Sequence, residues 1–196
     1  MRNAMPLALL AALAAGSAAH AAPLKRSYPL CSGIRVTAPN LKTQPRDLAF
    51  PGRQVLDLQF EARLRQDLQG DHLLRLKVLT PGGFLYQEIA VPFVGSAPDP
   101  DKAERAARAR SGAASRAEAP PPPRHVPGYP RPLPVQRLVP VVGDTRTRTQ
   151  YAVRAFLPVA GTSITLGGLF GRWTVQTYLD DQASPCGSAT RFSIRN

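Results

Sequence analysis

The sequence predicts an all-β protein: an antiparallel β-sandwich of about eight strands, interrupted by a long disordered insertion. Two observations carry this prediction. Apolar and polar residues alternate with period two over most of the chain, which is typical of half-buried strands. Outside the insertion, turn signals separate the alternating runs and none of them has the apolar stripe of a packed helix.

Residues 22–94 form the first half of the predicted sandwich. After "GIRV" near Gly33, "VLDLQFEARLR" alternates from Val55 onward. A helix is the alternative for residues 54–65, but polar groups at every second position would spoil its apolar face. "HLLRLKVLT" and "FLYQEIAVPF" flank Pro81-Gly82-Gly83 and predict a hairpin. The side chains expected to face inward are Leu56, Leu58, Phe60, Ala62, Leu64, Leu74, Leu76, Val78, Leu85, Ile89, Val91 and Phe93.

Residues 135–196 form the second half. "TQYAVRAFLP", "SITL", "RWTVQTYLD" and "ATRFSI" are each expected to be strands. In the third of these, Trp173, Val175 and Leu179 alternate with polar residues. Trp173 is therefore expected to be a core anchor rather than a stacking platform for a sugar.

Residues 95–134 differ from the rest of the chain. They show no alternation, Tyr129 is their single aromatic residue, and nine of the chain's 21 prolines lie between Pro98 and Pro132. Such a segment cannot bury enough apolar surface to offset ordering, so a disordered insertion rich in Pro, Ala and Arg is expected. It would serve as a flexible spacer. The alternative is a docking peptide, since "RPLPVQR" resembles ligands of polyproline-binding modules.

Residues 1–21 read as a signal peptide. Arg2 precedes the apolar run Met5–Ala15, and Ala19-His20-Ala21 is a cleavage motif that places the cut between Ala21 and Ala22. The run is too short to span a bilayer, and no transmembrane segment is expected after cleavage. No cysteine comes directly after the cleavage site, since the next one is Cys31. The protein is therefore expected to be exported, periplasmic or extracellular, and not a lipoprotein.

Cys31 and Cys186 are the chain's two cysteines. In an exported protein they predict one disulfide that joins the start of the domain to its end. A metal site would need His72 and His125 as further ligands, and neither has ligand spacing to a cysteine or to the other histidine.

The charge of the chain is strongly basic. Without Arg2, 24 basic side chains stand against 13 acidic ones. The basic residues are scattered, and an exported protein seldom meets nucleic acid, so nucleic acid is not the expected partner. Loose affinity for anionic envelope polymers or lipid head groups fits this charge better.

The sequence contains no recognisable catalytic or cofactor motif. Ser163 lacks the second glycine and the strand-to-helix context of a nucleophile elbow. His72 beside Asp71 is attributed to a turn rather than to a general base. Asp180 and Asp181 alone make a poor calcium cage, and a solvated turn is the favoured interpretation. No catalytic residue, metal or cofactor is predicted.

Four short motifs carry a family resemblance over residues 157–194. They are Leu157-Pro158, Gly161-Thr162, Gly171-Arg172-Trp173-Thr174-Val175 and Leu179-Asp180-Asp181. Together they resemble the end of immunoglobulin-like and macroglobulin-like modules of secreted bacterial proteins. The resemblance implies an immunoglobulin-like sandwich whose tryptophan fills the core. It also implies a role in adhesion, spacing or docking rather than a chemistry.

The expected function is therefore that of an exported, non-enzymatic interaction or structural module of the bacterial envelope or extracellular space. Its partner would be another envelope or extracellular protein. The alternative is a binder of anionic envelope polymer that uses an arginine-rich surface and the insertion. A hydrolase or a protease inhibitor is a third possibility.

Overall fold

The fold was analysed in a computed structural model, which describes residues 30–64, 68, 70–95, 120–141 and 150–196. Strands make up 52% of these residues and helix 3%, so the prediction of a mostly-β fold is confirmed. The predicted signal peptide, its cleavage site between Ala21 and Ala22, and residues 96–119 of the predicted insertion lie outside the described residues.

The described chain forms ten strands and one short helix. Their bounds are β1 Cys31–Thr37, β2 Ala49–Pro51, β3 Asp57–Leu64, β4 Gly70–Leu79, β5 Leu85–Gly95, β6 Gln136–Arg137, β7 Val139–Val141, β8 Gln150–Pro158, α1 Ser163–Leu166, β9 Gly171–Leu179 and β10 Thr190–Arg195.

The strands form two sheets that pack face to face. The first has the order β1-β3-β8, extended by the short β7, and all its pairs are antiparallel. The second is a curled six-stranded sheet with the order β2-β10-β9-β4-β5-β6. Its two edge pairs, β2 with β10 and β5 with β6, are parallel. The prediction of a purely antiparallel sandwich is therefore wrong at these edges, where very short strands are added.

The predicted alternation sets which side chains are buried. Leu58, Phe60, Ala62 and Leu64 of β3 are buried between the sheets, together with Leu74, Leu76 and Val78 of β4. Leu56 and Leu85, predicted to face inward, are exposed. Leu56 precedes the first residue of β3, and a register shift between Val78 and Leu79 interrupts the hairpin where Leu85 enters it.

Trp173 lies at the centre of the core, as predicted. Its side chain is fully buried, and its indole N–H donates to the carbonyl of Leu169 at 3.1 Å. The Tyr86 ring meets it edge-on at 5.2 Å, and the Phe192 ring stacks on it at 6.4 Å. Because it is buried, Trp173 cannot serve as a platform for a ligand.

The predicted disulfide between Cys31 and Cys186 is confirmed. The backbone N–H of Cys31 also donates to the carbonyl of Cys186 at 3.0 Å. Cys31 begins β1 of the first sheet, and Cys186 lies just before β10 of the second. The bond therefore joins the two sheets as well as two distant parts of the chain.

The segment "SITL", predicted to be a strand, is helix α1. The Thr162 side chain accepts from the N–H of Ile164 at 3.2 Å, and the N–H of Leu166 donates to the carbonyl of Thr162 at 2.9 Å. Thr162 thus caps the helix, as threonine commonly does. Four residues are too few for a hydrophobic period to separate helix from strand.

Residues 120–134, predicted to belong to the disordered insertion, form an ordered extended segment. Val126 is buried, and Arg124 and Leu133 pair as an isolated bridge. The hydroxyl of Tyr129 donates to the carbonyl of Glu88 and accepts from the N–H of Ala90, both at 2.9 Å. Individual side chains hold this segment against β5, and they follow no periodic pattern. The alternation of apolar and polar residues therefore could not predict that the segment is ordered.

Candidate functional site

Three loops lie together at one end of the sandwich. Leu79 pairs with both Leu85 and Thr174, and Asp57 pairs with Pro158. This register places residues 52–56, the hairpin turn 80–84 and the segment 159–171 at one end, which we call the turn end. The disulfide, the start of β4 and the end of β9 lie at the opposite end.

Large apolar side chains are exposed at the turn end. Leu166 is 80% exposed, Phe84 76%, Leu56 58% and Leu85 56%. Phe156, 51% exposed, is the remaining large exposed apolar residue among the described ones, and it lies on the outer face of β8. Single exposed apolar residues are ordinary, whereas a contiguous group marks an interaction surface. We call Leu56, Phe84, Leu85 and Leu166 the apolar cluster.

Direct contacts join the loops that carry the apolar cluster. The hydroxyl groups of Tyr86 and Ser163 lie 2.9 Å apart, which connects the hairpin to α1. The N–H groups of Val159 and Ala160 donate to the carbonyl of Leu56 at 2.8 and 3.1 Å. The loops therefore form one surface.

Two of the three loops at the turn end, 80–84 and 159–171, carry no charge, and basic residues lie in the third loop and beside them. No charged residue lies between Lys77 and Glu88, or between Arg154 and Arg172. Lys42, Arg53 and Arg172 are exposed around these loops, and among the described residues none of them pairs with an acidic group. Arg195 pairs with Asp47 at 2.7 Å. Asp57, at the start of β3, is an exposed acidic residue beside these loops.

An open cleft of about 560 Å³ lies beside Leu56. Residues 40–45 line it, together with Pro51 and Gln54. The Gln44 amide accepts from the N–H of Ala38 at 2.8 Å and donates to its carbonyl at 2.7 Å, while the Asn40 amide donates to the carbonyl of Gln54 at 2.6 Å. Both amides thus hold the loop in place, and the residues lining the cleft include Lys42 but no carboxylate, histidine or cysteine.

The opposite end carries the titratable residues that sequence analysis considered. His72 lies in β4 rather than in a turn, and its Nδ1 is 3.0 Å from Oδ2 of Asp180. Asp180 Oδ1 accepts from the N–H of Leu73 at 2.9 Å. Asp180 is therefore a hydrogen-bond partner of an imidazole and of the backbone, whereas Asp181 is the solvated residue predicted for this turn, with a side chain that is 95% exposed.

No catalytic or metal-binding cluster emerges from these positions. The hydroxyl of Ser163 is hydrogen-bonded to that of Tyr86, and His125 is exposed in the segment 120–134. Within the described ranges, no group of three or more His, Cys, Asp or Glu side chains could hold a metal ion.

Arginine residues also occupy the outer faces of both sheets. On the first sheet, Glu61 lies 3.6 Å from Arg63 and 3.7 Å from Arg154. On the second, Arg172 is opposite Ser193 and Arg191 is opposite Thr174, which makes the two arginines diagonal neighbours. The basic surface is thus spread over both faces rather than concentrated in one groove.

Comparison with known proteins gives no relative. No family model, no curated protein and no solved structure matches the chain. In the part of the chain that the structure describes, no helix is long and apolar enough to cross a membrane. The disulfide is consistent with an oxidising, exported compartment.

The apolar cluster is the candidate functional residue set that the sequence patterns did not identify. Leu56 and Leu85 were assigned to the core, and Phe84 and Leu166 were assigned no role. The charge-free runs between Lys77 and Glu88 and between Arg154 and Arg172 are the sequence signal that could have indicated it.

Proposed function

We propose that the protein is an exported, non-enzymatic β-sandwich module that docks onto another component of the bacterial envelope or extracellular space through its turn end. One observation carries the proposal: the apolar cluster gathers at one end of the sandwich, on loops that contain almost no charge. Exposed apolar groups in water are unfavourable, and a surface that removes them from water gains their burial energy.

We further propose that the sandwich is immunoglobulin-like. The order β1-β3-β8-β7 corresponds to strands A-B-E-D of that fold, and β10-β9-β4-β5 corresponds to G-F-C-C′. The disulfide and tryptophan differ from the antibody pattern: here they lie at Cys31 and Cys186 and on β9, instead of linking strands B and F and lying on strand C. This fold serves many binding functions, which agrees with a docking role.

Export is part of the proposal. The signal-peptide pattern that ends at Ala21 and the disulfide between Cys31 and Cys186 both support it. The partner would then be found outside the cytoplasm.

Photo-crosslinking in cells tests the docking surface. A photoreactive amino acid replaces Phe84 at the turn end or, in the control, exposed Ser188 at the opposite end. We expect position 84 to give an adduct, with a protein or with a lipid, that position 188 does not give, and a Leu166→Ser change to reduce its yield. Equal adduct patterns from both positions would contradict a docking role for the turn end.

A second candidate function is binding of an anionic envelope polymer. The observation that favours it is the pair Arg172 and Arg191 on the outer face of the second sheet, neither of which has an acidic partner among the described residues. Retention on a polyanion should fall steeply as salt screens these charges within about 8 to 10 Å at physiological strength.

The double variant Arg172→Ala, Arg191→Ala should elute from the polyanion earlier than a control Arg46→Ala variant. Retention that does not change with salt, or that is equal for the two variants, would rule out this second function.

A further inference from the structure

We propose that the surface bound by the turn end is an anionic lipid bilayer. The apolar cluster would enter the interfacial region while the surrounding basic side chains contact the head groups. This inference rests on the proposed docking function and names its partner class.

The apolar side chains are carried on projecting turns. Phe84 ends the hairpin turn between β4 and β5, and Leu166 ends α1 on the neighbouring loop. They are the most exposed large apolar residues described, at 76% and 80%. Amphipathic surfaces bind membranes by burying such side chains at the boundary between head groups and acyl chains.

Several backbone groups of both turns are already hydrogen-bonded internally. In the hairpin, the N–H groups of Gly83 and Phe84 donate to the carbonyl and side chain of Thr80, and the N–H of Thr80 donates to the carbonyl of Phe84. In α1, the N–H groups of Leu166 and Gly167 donate to the carbonyls of Thr162 and Ser163. Unpaired backbone groups are unfavourable in an apolar medium, so this pairing lowers the free-energy cost of contact with lipid.

The charge around the cluster complements an anionic surface. Arg53 lies in loop 52–56, and Lys42 and Arg172 lie beside the loops of the turn end; none of the three has an acidic partner among the described residues. Basic side chains near an anionic bilayer add attraction that falls off within a Debye length. Apolar side chains ringed by unpaired cations fit a phospholipid surface better than a neutral apolar groove on a protein.

Flotation with vesicles tests this inference. The oxidised, purified protein is mixed with vesicles of phosphatidylcholine plus phosphatidylglycerol, or with vesicles of phosphatidylcholine alone. We expect flotation with the anionic vesicles, and much less with the neutral ones or when the salt is raised to about 1 M, where the Debye length is about 3 Å.

Matched variants locate the contact. Phe84→Ser combined with Leu166→Ser should weaken partitioning by about tenfold or more, because two large apolar side chains no longer leave water. Phe156→Ser makes the same kind of change on the face of β8 and should leave binding unchanged. Arg53→Glu should weaken binding more than Arg191→Glu, which changes net charge equally but lies farther along the sheet from the turn end.

A fluorescence measurement keeps the test independent of how the serine variants fold. Trp173 is the chain's single tryptophan and is buried. In Phe84→Trp, the new emission should shift to the blue with anionic vesicles and be quenched by brominated lipid. In Phe156→Trp, it should do neither.

Two outcomes separate this inference from the docking function on which it rests. If anionic vesicles bind neither the protein nor the Phe84→Trp reporter, while position 84 crosslinks to a protein in cells, the lipid inference is wrong and the docking function stands. If the vesicles do not bind and position 84 gives no specific adduct, both are wrong.

Discussion

Asp180 shows how a single residue can hold the end of the sandwich opposite the turn end. Its backbone has φ of 53°, a left-handed conformation that Asp tolerates better than most residues. Its N–H donates to the carbonyl of Leu73 at 2.7 Å, and its carboxylate accepts from the N–H of Leu73 and pairs with His72. One side chain therefore satisfies a backbone amide and an imidazole on the neighbouring strand.

Substitutions of Asp180 should show how much these contacts contribute to the stability of the protein. Asp180→Ala leaves the N–H of Leu73 without its partner and should lower the free energy of unfolding by about 1 to 3 kcal/mol. Asp180→Asn keeps an acceptor oxygen and should cost less. Asp181→Ala, the exposed control, should change the free energy by no more than about 0.5 kcal/mol. Urea unfolding of the three variants measures this, and equal stabilities for Asp180→Ala and Asp181→Ala would contradict the assignment.

At the scale of elements, the edges of the sheets are protected by side chains as well as by strands. Tyr129 fills the edge of β5 at Glu88 and Ala90. The Gln136 amide does the same for β8, because it accepts from the N–H of Arg154 at 3.0 Å and donates to its carbonyl at 2.6 Å. Unpaired strand edges invite pairing with another chain, and these side chains remove that hazard.

Removing the hydroxyl of Tyr129 tests whether it protects the edge of β5. In Tyr129→Phe, the N–H of Ala90 loses its acceptor, so its hydrogen exchange should become markedly faster and the protein should lose about 1 to 2 kcal/mol of stability. Tyr178→Phe is the control, because its hydroxyl bonds only to the Gln176 side chain. Unchanged exchange at Ala90 would mean that residues 120–134 do not hold this edge in solution.

The elements also show what the sequence could predict. Period-two alternation located β3, β4, β8 and β9 because their inward residues face one continuous core. The same alternation wrongly predicted a strand for α1, where a capping threonine rather than periodicity decides the conformation. It also failed for residues 120–134, which are held by a hydroxyl and a single buried valine.

The candidate site was less predictable than the fold. The charge-free loops are visible in the sequence, but their meeting depends on the pairing of Asp57 with Pro158 and of Leu79 with Thr174. The contact of His72 with Asp180 joins residues 108 positions apart, so local spacing does not reveal it. Two cysteines in an exported chain, by contrast, leave a single intramolecular pairing, which is why the disulfide could be predicted.

At the scale of the whole molecule, the disulfide closes a loop of 155 residues that includes both halves of the sandwich. In the chain-entropy model, opening such a loop lowers stability by up to about 5 kcal/mol. Denaturant unfolding of the oxidised and the reduced protein measures the difference. The sequence holds no other cysteine, so reductant acts on this bond alone, and identical midpoints would show that it contributes little.

The separation of the two ends is the central feature of the account: the disulfide and the hydrogen bonds of Asp180 hold one end, and the other exposes the apolar side chains that we propose dock onto a partner. Binding of purified protein to isolated cell envelopes tests this most directly. The wild type and Phe156→Ser should sediment with the envelopes to the same extent, and Phe84→Ser combined with Leu166→Ser should remain largely in solution while keeping the wild-type melting temperature. If the double variant binds as well as the wild type, the turn end is not the docking surface.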